Sequence, residues 1–282
     1  RKYFNLKYPE NIMERRMIME EGVDVRLKRI FKEDIIRFGH FPTPKWTFKS
    51  WPYPGVKIAR DLVKDEWGVV WKYCPTEEES TFAVDFSRSP LRNANFEELE
   101  DFFDSSECPD PHDPARYEAL DYAIEKYGEE FAIFAGTSIF VYERAQYLRG
   151  FSELMCDFIE RPDFAEKLLD RVEEYYVGVI EEVLKREIDV LYIADNIVTQ
   201  DGPQISLRIF RKFYKPRLKK VTEMAHQKKI PVYFHDGGGN DLILIPDLIE
   251  AGVDILDPVS VDPVTIKRKF GDRICLHGSV DI

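Results

Sequence analysis

From residue 131 onward the chain alternates short apolar runs with long amphipathic segments, and this alternation constrains the fold more than any other feature. FAIFAGT is followed by a connecting helix and then by PDFAEKLLDRVEEYYVGVIEEVLKREI. In that segment Phe164, Leu168, Leu169, Val172, Tyr176, Val179, Ile180 and Val183 recur at three- and four-residue spacing, which lays one apolar stripe along a helix. Pro162 and Asp163 suit its N-terminus. Next come the strand DVLYIAD, the helix SLRIFRKFYKPRLKKVTEMAHQKK, the strand IPVYF, the loop HDGGGND, the helix LILIPDLIEAG, the strand VDILD, the helix VDPVTIKRKFG and the strand RICLHG. Each helix must carry the chain back to the start of the next strand, so the strands run parallel. Pro216 is expected to kink or reset the helix that holds it. Five strands are expected from residue 131, with one or two more upstream. No GxGxxG turn follows any of them, so a dinucleotide-binding open sheet loses its support and a (β/α)8 TIM barrel is preferred.

With 44% hydrophobic residues, 282 residues supply one large core, and a single domain spanning 1–282 is expected. Residues 1–125 form an elaborated N-terminal part, rich in aromatics, prolines and charges, and 126–282 the regular β-α units. In the first part EEGVDVRLKRIFK is expected to open a helix and DEWGVVWKYC to hold a strand around Gly68, while DSSECPDPHDPARYEAL reads as a loop handing over to a helix near Ala115. The formal charge of −12 disfavours nucleic acid and anionic membrane, because both select Lys- and Arg-rich surfaces. Cys74, Cys108, Cys156 and Cys275 are scattered without a short-spaced pair, which points to reduced thiols and a cytoplasmic location, with Cys275 packed in the core. No apolar run reaches the ~20 residues that a spanning helix needs.

In a parallel barrel all strand C-termini share one face, where such folds carry their chemistry. After YIA come Asp195, Asn196, Thr199, Gln200 and Asp201; after VYF come His235, Asp236 and Gly237 to Gly239; after DIL come Asp257 and Ser260; after ICL come His277, Ser279 and Asp281. Four successive strands thus deliver an acid or an imidazole to one rim. Asp195 suits a helix or turn cap equally well, since Asp accepts backbone N–H bonds. The glycines after His235 and Asp236 let the backbone approach a ligand without a Cβ penalty.

The runs DVLYIADNIVTQDGPQISLRIFRKFYKPRLKKV, PVYFHDGGG, LIEAGVDILDPVS and KRKFGDRICLHGSVD, with YERAQYLRGFSELMCDFIERPDFAEKLLDRV upstream, resemble the uroporphyrinogen decarboxylase superfamily, particularly its methyltransferase-like branch. The resemblance covers about residues 130–282 well and the first part loosely. It implies a (β/α)8 barrel whose members continue past GSVD through a final strand and helix, so the present chain is expected to stop before closure. It also implies methyl transfer between a small methylated substrate and a corrinoid protein, with zinc as a cofactor. Thiol-activating members carry His-x-Cys after the strand that here ends in His235, and this chain has Gly237 where they have Cys. That departure turns the expectation from thiol methylation toward a methoxy or methylamine-type donor, with His235 and Asp236 as candidate metal ligands and His235, Asp236 and Asp195 as candidate catalytic groups. Asn196, Gln200, Asp257, His277 and Asp281 are candidate substrate contacts. The alternatives are uroporphyrinogen decarboxylation, whose arginine-bearing N-terminal segment does not match the contexts of Arg15, Arg16, Arg26 and Arg29, and a non-catalytic barrel that binds a small molecule or a corrinoid protein.

Overall fold

A computed structural model describes residues 6–7, 9–42, 56–75, 80–106, 108–239, 242–257 and 262–278. Its centre is a six-stranded parallel sheet of β1 (Ile35–Phe38), β2 (Ala132–Thr137), β3 (Val190–Ala194), β4 (Val232–His235), β5 (Ile255–Asp257) and β6 (Cys275–Leu276). The spatial order follows the order along the chain without a reversal. A doubly wound sheet reverses direction at a switch point and carries helices on both faces; a sheet that always grows on one side winds toward a barrel. The apolar residues sort accordingly. One small cluster (Phe134, Val190, Tyr192, Ala194 and Tyr233, with Ile35, Ala132 and Ile255) occupies the concave face, and a much larger one lies between the strands and the helices.

The helices follow the sequence pattern closely. The long amphipathic stripe forms Pro162–Leu184 and buries Phe164, Leu168, Leu169, Val172, Tyr176, Val179, Ile180 and Val183. The segment around Pro216 is reset as expected: five residues of π-helix, Phe210–Tyr214, lead into Lys215–Gln227 with the proline in its first turn. A proline there lacks the N–H that a continuous α-helix would need, and the wider turn absorbs the misfit. Among the described residues, five strands of the parallel sheet lie from residue 131 onward and one, β1, upstream, pairing in parallel with β2 through Ile35↔Ala132 to Phe38↔Ala135.

The N-terminal part adds a four-stranded antiparallel sheet, Val56–Lys57, Leu62–Lys64, Val70–Pro75 and Ser80–Val84. Its DEWG turn is built by Asp65, which accepts hydrogen bonds from the Trp67 and Val69 N–H groups, both at 2.9 Å, and from Trp71 Nε1 at 3.0 Å. Gly68 completes the turn at φ +76°, where a Cβ would be strained. DEWGVVWKYC is therefore a turn around Gly68 followed by one strand, Val70–Pro75, where the sequence suggested a strand around Gly68 itself. Cys275 also departs from expectation: it is exposed, because its partner in the register, Ile255, faces the lumen. Among the described residues no helix is long and apolar enough to cross a membrane.

Candidate functional site at the strand C-termini

Side chains alternate along a strand, so Tyr233 and His235 of β4 share the lumen face with Ile255 and Asp257 of β5. His277 follows the two residues of β6 onto the same face, its N–H bonded to Leu256 O. Three neighbouring strands thereby bring two imidazoles to one carboxylate. His235 Nδ1 lies 2.7 Å from Asp257 Oδ2, and His277 Nδ1 lies 2.8 Å from Asp257 Oδ1. The Tyr233 hydroxyl stands 2.9 Å from His277 Nδ1. Burial pushes the Asp257 carboxyl up, but the hydrogen bonds to His235, His277 and Tyr233 outweigh it and hold the group below its ordinary range. An ionised carboxylate only accepts, so both Nδ1 atoms carry the proton and each Nε2 is the face offered to a ligand. Exposure grades across the trio, from 11% for the Asp257 side chain through 33% for His235 to 56% for His277.

Asp195 has a different place. It is 1% exposed, and its two oxygens accept the N–H groups of Tyr142 at 2.9 Å and Glu143 at 2.7 Å. These are orphan donors at the start of the helix Val141–Arg149, whose own N-cap, Phe140, offers no side-chain acceptor. Asp195 thus caps a helix, as the alternative reading of its residue type allowed, though the helix precedes it in sequence. Burial and the neighbouring Glu143 hold its carboxyl well above the usual value.

Glu143, absent from the sequence expectations, is the group that this cap delivers to the rim. Burial raises its pKa against the opposing pull of the Tyr147 hydroxyl, Arg144, His235 and the Asn196 N–H. An acid whose pKa is raised beside an imidazole is a recognisable arrangement for proton transfer. The only hint in the sequence was its place in YERAQYLRG, where nothing marked it as facing a strand end.

The remaining candidates divide. Asn196 is exposed and packs against Gly237, where a Cβ would meet its Oδ1 at 2.4 Å; its own carbonyl accepts from Gln204 Nε2. Gln200 is exposed at the tip of the hairpin Val198–Thr199/Gly202–Pro203, against which Gly239 packs. Asp236 is 0% exposed, accepts from the Gly238 N–H, and lies close enough to raise the Tyr214 phenol on the helix side of the sheet. Asp281, with Ser260 and Ser279, falls outside the described residues. His235 and Asp236 therefore face opposite sides of the strand end. Among the described residues no group of three His, Cys, Asp or Glu is arranged to hold a metal ion, so these residues do not fit a zinc ion on His235 and Asp236.

A second concavity opens where β1 and β2 end. Gly39, His40, Gly136 and Thr137 floor it, Trp67 and Trp71 of the antiparallel sheet wall one side, and Tyr175 and Tyr176 the other. Burial, with the charges of Arg144 and Arg37, lowers the His40 imidazole to about 4, so it is neutral at pH 7. Arg37 itself lies 4.9 Å from the Tyr192 ring centroid on the lumen face.

A singly wound α/β barrel with imidazole and carboxyl groups at its strand C-termini defines a class of enzyme-bearing folds. Within that class, the chain belongs to the uroporphyrinogen decarboxylase (URO-D) family, whose model matches residues 83–282. Among solved structures it is similar to a methyltransferase from Methanosarcina mazei, at 18% identity and a TM-score of 0.63, over 95% of this chain and 71% of that one. At that identity the likeness establishes the shared fold. No curated protein matches the sequence.

Proposed function

We propose that this barrel is a methyltransferase that moves a methyl group between a small methylated substrate and a corrinoid protein. The observation that carries the reading is the Asp257 carboxylate bridging His235 and His277 at the ends of three adjacent strands. Breaking a methyl–heteroatom bond leaves a basic heteroatom that needs a proton, and a positioned acid contributes about 10²–10⁴-fold to such a step. Glu143, whose pKa burial raises, is suited to give that proton, and the Nε2 atoms of the imidazoles steadied by Asp257 are suited to recover it. The corrinoid, carried by a partner protein, supplies the nucleophilic metal centre for the methyl carbon. No step is assigned to zinc.

Decarboxylation of a polycarboxylated tetrapyrrole is the second reading. Arg37 on the lumen face favours it, since carboxylates are bound by guanidinium groups. The discriminating experiment incubates the protein with reduced corrinoid and a panel of O-, N- and S-methyl donors, following methylcorrinoid by absorbance, and in parallel with uroporphyrinogen. Donor-dependent methylcorrinoid that falls at least ~100-fold in His235→Ala supports methyl transfer. Loss of carboxyl groups from uroporphyrinogen without methyl transfer replaces it with the second reading, and inertness in both assays leaves a binding barrel.

A further inference from the structure

The cleft at the ends of β1 and β2 contains a buried guanidinium nitrogen that has no hydrogen-bond partner among the described residues. Arg144 is 7% exposed; its Nε donates to the Tyr176 hydroxyl at 3.1 Å, and its guanidinium lies 4.8 Å from the centroid of the Trp67 ring. Its Nη1 makes no hydrogen bond to any described residue, and Asp65 Oδ2 stands 3.6 Å away, beyond hydrogen-bonding range. Asp65 cannot easily come closer, because three N–H groups already hold it in its turn. Buried polar groups in folded proteins are nearly always satisfied, so an orphan donor facing a cavity marks a place where something accepts.

The charges around the cleft decide what that something is. Arg144 is offset by Asp65, and Glu66 is offset by Arg116, whose two Nη atoms reach its oxygens at 2.9 and 3.0 Å. His40 is neutral at pH 7. With the lining charges paired off, an incoming anion finds no net positive charge to offset its desolvation. A cation fares no better, since the Trp67 face that would receive it is taken by Arg144. A neutral oxygen acceptor meets the orphan N–H at the smallest desolvation cost, and the apolar side chains of Phe41, Ile139 and Val179 suit a small uncharged body. The cleft holds about 70 Å³, room for a few water-sized groups at about 10–15 Å³ each.

We infer that this cleft binds a small, neutral carbonyl compound, its oxygen on Arg144 Nη1 and its body against the apolar lining of Phe41, Ile139 and Val179. The inference goes beyond methyl transfer and stands independently of it, because binding is read without turnover.

The test titrates propionamide, propionate and propylammonium into the protein, following tryptophan fluorescence and ligand-observed NMR at pH 7. Saturable binding of propionamide at least tenfold tighter than either ion is the expected result. Ile139→Trp, which fills the cleft while leaving Arg144 in place, removes the binding, and Arg144→Lys, which keeps the charge but loses the fork, weakens it roughly tenfold. Circular dichroism of both variants confirms the fold. Equal binding of the three probes, undiminished binding in Ile139→Trp, or no saturable binding of propionamide overturns the assignment.

Discussion

Two carboxyl groups near one histidine are pushed in opposite directions, and that divergence gives each a separate role. Asp257 is drawn down by its hydrogen bonds, so its contribution to stability is present above the unfolded carboxyl value, about 3.9, and is lost as pH falls through the lower folded value. Asp257→Asn should unfold in urea at a lower concentration than the parent at pH 6, with the gap closing near pH 3, while turnover drops ~100-fold or more. Glu143 is drawn up by burial, so its ionisation opposes folding once pH rises past the unfolded value of about 4.3. Glu143→Gln mimics the protonated acid and should therefore melt at a higher temperature than the parent at pH 8, with little difference at pH 4. Its methyl transfer should nevertheless fall by about 10²-fold. A parallel loss of stability at pH 8 would show that Glu143 is needed as a carboxylate. Of these groups, His235, Asp257 and His277 were legible because each directly follows an apolar strand in the sequence. Glu143 was not, because its position depends on a cap donated by a residue 52 positions later.

At the scale of elements, the loop after β4 fixes what can be mounted there. Gly237 sits at φ +91° with Asn196 Oδ1 only 2.4 Å from where a Cβ would be, so the position resists any side chain. Gly237→Cys, which would place a thiol two residues after His235, should cost about 1–3 kcal/mol. Metal analysis should find less than stoichiometric zinc in it; a full complement of zinc with unchanged stability would show that the loop accepts a ligand side chain after all. Periodicity announced the helices and even the irregularity at Pro216, since both depend on local spacing. It could not announce which helix Asp195 caps or that Asp236 turns toward the helix layer, because those follow from how the elements pack.

Across the whole molecule, the winding of the sheet was readable from the β-α alternation alone, since that alternation admits few topologies. The N-terminal part was not, because short antiparallel strands joined by a hairpin carry little periodic signal and β1 stands apart from the other strands in the sequence. One contact that holds the antiparallel sheet against the end of β1 is a buried ion pair: Arg116, 2% exposed at its side chain, grips Glu66 with both Nη atoms and Phe41 O with one. Glu66→Ala strands that guanidinium and should cost about 3–5 kcal/mol, measurable as a shift of the urea midpoint. A loss under about 1 kcal/mol would mean that the sheet holds without it.

The match to the family begins at residue 83, after the hairpin that contributes Asp65, Trp67 and Trp71 to the cleft wall. One wall of the cleft therefore lies outside the stretch that the family model covers, while Arg144 and the groups at the rim lie inside it.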